Sequence, residues 1–432
     1  MLLLNEHITR PIHGKIKFSA EDFIVEEITN NGTVLEKDKI FNEMPFIVAD
    51  DTKVKKVEGN NFSLFIMQKK NWNTIQALTE IARKLGRSFK SVGFAGTKDR
   101  TSISTQLCTM FGTDPARLIE LHIKDIQING AWQISKKIEL GDLLGNRFDV
   151  KIRNVEISSS IKESLENLRS LGNIFPNYFG EQRFGNRNNN YFIGMDILKG
   201  NFEAAAMKFL TDIQNESNQE AVEARTRLSN ERDFDKALSY FPKYLKYERI
   251  MLHHLSKLPN DYAGALRKLP RSLSLIFMHS VDAFIFNEEL EFYIKNMDMV
   301  KEIKFFCNVN SLGFPDLMNL SSGSGIDKSK INSKVFAVAS LVGYDSTLND
   351  IEKEIISAQG LEQEMFKMKR MPELNCKGSY RILFSPFYNF NFNVDTDRES
   401  SDEFAEFKFS LPKSSYATVF LAEFVNSNYN NK

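Results

Sequence analysis

The sequence predicts an α+β protein: a mixed, mainly antiparallel sheet formed by both ends of the chain, with a helix-rich domain inserted between them. Three observations predict it. Strand-like patterns, most with apolar and polar residues alternating, lie at residues 14–27, 62–67 and 147–155 and return at 380–394 and 404–411. Between them, after the polar run Asn186-Arg187-Asn188-Asn189-Asn190, the pattern changes to the helical period at 202–213, 221–228, 234–255 and 269–293. A chain of 432 residues, 42% of them hydrophobic, is long enough for two packed domains. The expected boundaries are residues 1–190 and 375–432 for the sheet domain and 191–374 for the insertion.

Composition narrows the function classes. The opening Met1-Leu2-Leu3-Leu4-Asn5-Glu6 is too soon polar for a signal peptide, and no run approaches the roughly 20 apolar residues of a membrane span. A soluble cytoplasmic protein with no membrane partner is expected. Cys108, Cys307 and Cys376 are odd in number and widely spaced, which predicts buried reduced thiols rather than disulfides or a cysteine zinc site. Net charge is zero, so binding a polyanion requires local clusters such as Lys53-Lys55-Lys56, Lys69-Lys70 and Lys136-Lys137, with acidic residues gathered elsewhere, as at 350–364.

In chain order, residues 14–27 carry Ile16, Phe18, Phe23 and Val25 in alternation, and Asn30-Asn31-Gly32 supplies a turn. Residues 62–67 read as a strand. Asn71-Trp72-Asn73-Thr74 opens a helix with Ile75, Leu78, Ile81 and Leu85 on one face, ended by Gly86, and Thr74 suits an N-cap. The run Val92-Gly93-Phe94-Ala95 then stops at Gly96 and is followed by Thr97, Lys98, Asp99 and Arg100. A carboxylate between two cations at a strand end is how a scaffold presents a reactive group, and makes Asp99 the candidate. Lys98 and Arg100 favour its ionised form and can hold phosphates. Neighbours on an extended segment point to opposite sides, so a lysine from elsewhere pairs better with Asp99 than Lys98 does. A guanine-binding reading of the Thr-Lys loop fails because the chain has no G-x-x-x-x-G-K-[ST].

Residues 147–155 form a strand with Phe148, Val150 and Ile152 on its apolar face, and Ser160-x-x-Glu163 is a capping box before a helix that ends at Gly172. The stretch Asn177-Tyr178-Phe179-Gly180-Glu181-Gln182-Arg183-Phe184-Gly185 interleaves aromatics with amide and guanidinium groups, which can stack a base and bond its edges. Helices fill the insertion. His253, His254 and His279 form no i, i+4 ligand pair, so no metal is expected. Residues 335–344 read as a buried strand and 350–369 as a helix, before the strands return.

Several of these stretches resemble one family. Gly96, Lys98, Asp99, Ser104 and Gln106 fit G-x-K-D followed by a hydroxyl residue and Gln, the signature of TruD-type pseudouridine synthases, which often have Thr at Ser104. Lys17, Glu21, Asp22, Phe23, Val25 and Glu27 resemble the family's lysine followed by E-D-F-x-V-x-E, and residues 177–185 match N-Y-F-G-x-Q-R-F-G. His279, Phe286 and Asn287 resemble its insertion helix, and residues 409–424 its closing L-P-x-x-S-[FY]-A-T, with Ala422 where relatives often carry arginine. The resemblance spans nearly the whole chain and is of archaeal type.

It implies a pseudouridine synthase catalytic domain with an inserted TRUD domain, and isomerisation of uridine 13 of tRNA after the base flips from its stack. No cofactor and no metal are implied. By resemblance Asp99 is catalytic, Lys17 lies in the active site, Asn177 orders the aspartate and Phe179 packs on the target base. Lys98, Arg100, Gln106, Gln182, Arg183 and Glu27 are the expected substrate-binding residues. Asp99 would either attack the ribose C1′ or take the C2′ proton, and the residues admit both routes. The rival readings are a non-catalytic RNA-binding or tRNA-folding protein and a synthase acting on another RNA position.

Overall fold

A computed structural model describes residues 12–45, 61–157, 161–396 and 403–425; the Lys53-Lys55-Lys56 cluster, the opening six residues and Ser160 of the expected capping box lie outside them. The chain begins with β1 (Ile12–Ile16) and β2 (Phe23–Ile28), then β3 (Phe62–Lys70), α1 (Thr74–Lys84), β4 (Val92–Phe94), β5 (Ile103–Phe111), α2 (Pro115–Ile119), β6 (Ile126–Ile134) and β7 (Gly145–Ile157). After α3 (Ile161–Ser170) and β8 (Ile174–Pro176) come α4 (Asn190–Leu198), α5 (Phe202–Thr211), α6 (Gln219–Glu231), α7 (Phe234–Tyr240), α8 (Lys246–Leu255), α9 (Tyr262–Arg267) and the long α10 (Arg271–Lys295). Then follow β9 (Phe305–Val309), β10 (Pro315–Ser322), β11 (Val335–Leu341), α11 (Asp350–Ala358), β12 (Ser379–Ile382), β13 (Phe384–Pro386), β14 (Tyr388–Thr396), β15 (Glu403–Pro412) and α12 (Ala417–Leu421).

Among the described residues nine strands make one sheet, in the order β14-β15-β7-β2-β5-β3-β6, with β1 beside β7 and β4 beside β5. Its ladders are antiparallel except β2 with β5, where Ile24 stands opposite Ile103, so the sheet is mixed and mainly antiparallel as expected. The carboxyl end rejoins it through β14 and β15, whereas the start of the expected 380–394 strand does not: β12 pairs with β11 and β13 with β8. β15 runs along β7 from Phe404 opposite Arg153 to Pro412 opposite Gly145, because its buried Phe407 and Phe409 complete the core that Phe148 and Val150 begin. Phe148 and Phe409 stack at 5.2 Å. Four further strands form a second sheet, β10-β9-β11-β12, of which the sequence pattern had marked only β11 in the insertion.

Departures from expectation have local causes. The helix expected over 234–255 is two, α7 and α8, because Pro242 follows Phe241 and cannot continue the hydrogen-bond ladder. The one expected over 350–369 stops at Ala358, just before Gly360 turns the chain with φ +63°. Phe18 is 65% exposed and belongs to no strand; Ile75, at the start of α1, is exposed while Leu78, Ile81 and Leu85 are buried.

Two large apolar clusters meet at α10. Ala283, Phe286, Leu290 and Tyr293 join the cluster built with β7, β8, β11 and β15, while Phe277, Met278, Val281 and Ile285 join that of the surrounding helices. Among the described residues no helix is long and apolar enough to cross a membrane.

Candidate active site

The segment from Ala95 to Ser102 links β4 to β5, and β5 lies parallel to β2. Buried side chains hold it. Thr74 is not the N-cap of α1; Asn73 caps it by accepting from the Gln76 N–H at 2.8 Å, which leaves the Thr74 Oγ1 to accept from the Lys98 N–H at 2.9 Å and donate to Gln106 Oε1 at 2.8 Å. Gln106, fully buried, donates in turn to the Gly96 carbonyl at 3.0 Å. Lys69 and the Ser102 hydroxyl each donate to the Asp99 carbonyl at 2.8 Å. Burial, with Lys98 close by, takes Lys69 down to about 7.

Lys98 and Asp99 therefore part company. The Lys98 Nζ turns inward to Glu27 at 2.8 Å, and both side chains are almost fully buried. Glu27 also accepts from the Leu107 N–H at 3.0 Å. Asp99 points outward with 46% of its side chain exposed, and its carboxylate is ion-paired with Lys17. Lys17 follows β1 at φ 59°, a left-handed conformation unusual for lysine, and its Nζ lies 4.4 Å from the Phe23 ring centroid.

Asp99 and Lys17 line a pocket of about 390 Å³, a size suited to a small ligand. Phe23, Val25 and Phe148 contribute apolar surface to it, and Gln182 and the segment from Lys413 to Thr418 form part of its wall. Of the residues expected in the site, the structure brings Asp99, Lys17, Lys98 and Gln182 to this pocket. Glu27 and Gln106 stand behind it as buried supports. Arg100 is exposed and lines a separate shallow groove with Trp72, Ile75 and Gln76.

Asn177, Phe179 and Arg183 line an adjoining cavity of about 480 Å³, which shares Lys413, Ser414 and Tyr416 with the Asp99 pocket. The Asn177 amide is engaged by β12: it donates to the Ile382 carbonyl at 3.0 Å and accepts from Arg381 at 2.8 Å. Phe179 is buried, edge-on to Phe286 at 5.5 Å, with the Arg381 guanidinium 4.0 Å from its ring centroid and that of Arg183 at 5.0 Å. Asn287 grips the Phe179 backbone from α10, accepting from its N–H at 2.9 Å and donating to its carbonyl at 3.1 Å.

Sequence reasoning missed Arg381 and Tyr416. Arg381 is buried and donates to the carbonyls of Asn177 (2.9 Å) and Ser414 (2.5 Å). Burial takes it down to about 9, still cationic at neutral pH. Tyr416 had a signal, its place in the closing motif, and it borders both cavities. An exposed carboxylate paired with a lysine beside apolar side chains can serve as base or nucleophile toward a planar substrate.

A family model described as tRNA pseudouridine synthase D (TruD) matches residues 6–424. The probable tRNA pseudouridine synthase D of Methanococcoides burtonii is 31% identical over 441 aligned residues, covering 96% of this chain and 94% of that one. The protein of the same description in Thermococcus sibiricus is 32% identical, with 96% and 95% covered. The fold is similar to the crystal structure of the TruD protein of Methanosarcina mazei, with a TM-score of 0.74 at 29% identity, over 98% of this chain and 95% of that one.

Proposed function

The chain belongs to the TruD family of tRNA pseudouridine synthases, and from that membership we propose that it isomerises uridine 13 of tRNA with Asp99 as the catalytic group. Enzymes of this kind are isomerases. The C1′–N1 bond of the nucleotide breaks and a C1′–C5 bond forms, while C5 loses its hydrogen and N1 gains a proton, so no atom is added or lost. The flipped uridine enters the Asp99 pocket, where Phe23, Val25 and Phe148 exclude water from the sugar and base. Asp99 begins the reaction at C1′ as nucleophile or at C2′ as base, and Lys17 neutralises its charge while the substrate, itself an anion, approaches. Lys98, Glu27 and Gln106 act indirectly, by fixing the loop from which Asp99 projects, and Arg100 meets phosphate outside the pocket. Phe179 and Asn177 shape the adjoining wall.

The observation that carries the reading is the outward Asp99 carboxylate paired with Lys17 while its neighbour Lys98 is held inside. Asp99→Asn keeps the shape of the side chain and removes its basicity. On unmodified tRNA, chemical mapping of pseudouridine should show the rate lowered by at least about 100-fold with tRNA binding retained. Turnover near that of the unaltered protein would remove Asp99 from the reaction. Binding without product in the unaltered protein would favour the RNA-folding reading, and product at another position would correct the target.

A further inference from the structure

Where α10 passes the segment leading into β12, three side chains of metal-ligand type converge. His279 and Asp282, three residues apart, share a face of α10, and Cys376 comes from a distant part of the chain; one ligand atom from each lies within 4.8 Å of the other two. We propose that His279, Asp282 and Cys376 bind a divalent metal ion, zinc by the chemistry of the donors, as a clamp between α10 and the chain returning to the sheet. The sequence does not announce such a site, since its ligands are of three types and only two are near one another in the chain.

Two observations point to a ligand. The Asp282 side chain is only 9% exposed, yet its Oδ1 has no hydrogen-bond partner. Leaving a buried carboxylate oxygen unmatched costs on the order of 1–3 kcal/mol, and a cation bound at the neighbouring Oδ2 would lower that cost by drawing charge away from Oδ1. The second is a distance. The His279 Nδ1 stands 3.4 Å from Asp282 Oδ2, longer than the usual 2.7–3.2 Å of such a bond. It matches the edge of about 3.3–3.4 Å expected of a tetrahedron with zinc bonds of about 2.0–2.1 Å.

The Cys376 Sγ makes only a long contact of 3.6 Å to the Leu374 carbonyl, so a modest movement could bring it to the metal. On binding it gives its thiol proton to solvent. His279 is half-exposed, which leaves an entry path and room for water as fourth ligand. Nitrogen, oxygen and thiolate together suit zinc better than magnesium or calcium, which take oxygen.

The test uses the full-length protein, stripped of metal and titrated with zinc and, separately, with cobalt(II). One equivalent of zinc should remain after dialysis, by elemental analysis, and the cobalt form should show a thiolate charge-transfer band. Cys376→Ser should abolish that band, and His279→Ala, a change at the surface, should weaken zinc binding by at least about tenfold. Melting temperatures in chelator establish that both variants are folded. Zinc well below one equivalent, a cobalt spectrum without the band, or retention unchanged in folded His279→Ala would each overturn the site.

Discussion

Lys98 and Asp99 are adjacent, yet one is an interior cation and the other an outward carboxylate, and this division explains why the triplet Lys98-Asp99-Arg100 is more than a solvated loop. The glycine-broken apolar run made Asp99 only a candidate, and the extended geometry asked only for a lysine from elsewhere; it is the family resemblance of both stretches that singles out Asp99 and Lys17. Arg381 was not legible: a lone cation between Tyr380 and Ile382 looks the same in sequence whether its strand faces solvent or the core. It is Arg381 that alters the expectation for Phe179, whose ring is held between that guanidinium and Phe286. Phe179→Ala should therefore lower stability by about 3–5 kcal/mol, the cost of a large cavity in a packed core. Denaturant unfolding measures it. A stable variant with slow single turnover would instead assign the ring to stacking on the target base.

Elements show how local sequence and tertiary demand share control. The apolar period located β7, β11, β15 and α1, whereas β9 and β10, a hairpin that turns at Asn310–Gly313, escaped it because β10 is largely polar and buries none of its side chains. On β3 the pattern even misleads, since Lys69 of the basic pair Lys69-Lys70 is no part of a phosphate-binding surface but fully buried, its ammonium directed at the Asp99 carbonyl. That burial carries a pH signature. Lys69 binds its proton more weakly folded, at about 7, than at its ordinary value of 10.5, so between those limits the unfolded chain holds more protons and stability rises with pH. At about 1.36 kcal/mol for each tenfold change in proton affinity, the rise amounts to about 3–5 kcal/mol. Lys69→Met should remove it. Urea unfolding of both proteins at pH 7 and pH 10 provides the check, and parallel pH profiles would show that Lys69 is hydrated in solution.

At the scale of the whole molecule, α10 ties the two halves of the architecture together. Its residues Phe277, Met278, Val281 and Ile285 face the helical cluster, and Ala283, Phe286, Leu290 and Tyr293 face the cluster shared with β7 and β15. β11, within the same stretch of chain, hydrogen-bonds to β12 beyond it, from Val338 opposite Ile382 to Leu341 opposite Ser379. A piece covering residues 191–374 would keep α10 with its surrounding helices and β11 with β9, but lose β12 and the β7, β8 and β15 side of the cluster on α10, exposing Phe286, Leu290 and the β11 edge. Each large apolar side chain so exposed forfeits roughly 1.5–3 kcal/mol of burial, comparable in sum with the entire stability of a domain. We therefore expect the 191–374 fragment, expressed alone, to lack a cooperative thermal transition and to bind a hydrophobic dye, and the complete chain to melt in a single transition with matching calorimetric and van't Hoff enthalpies. A fragment that melts sharply by itself would mean that the insertion is an independent domain merely resting on the sheet, and that α10 transmits no stability between them.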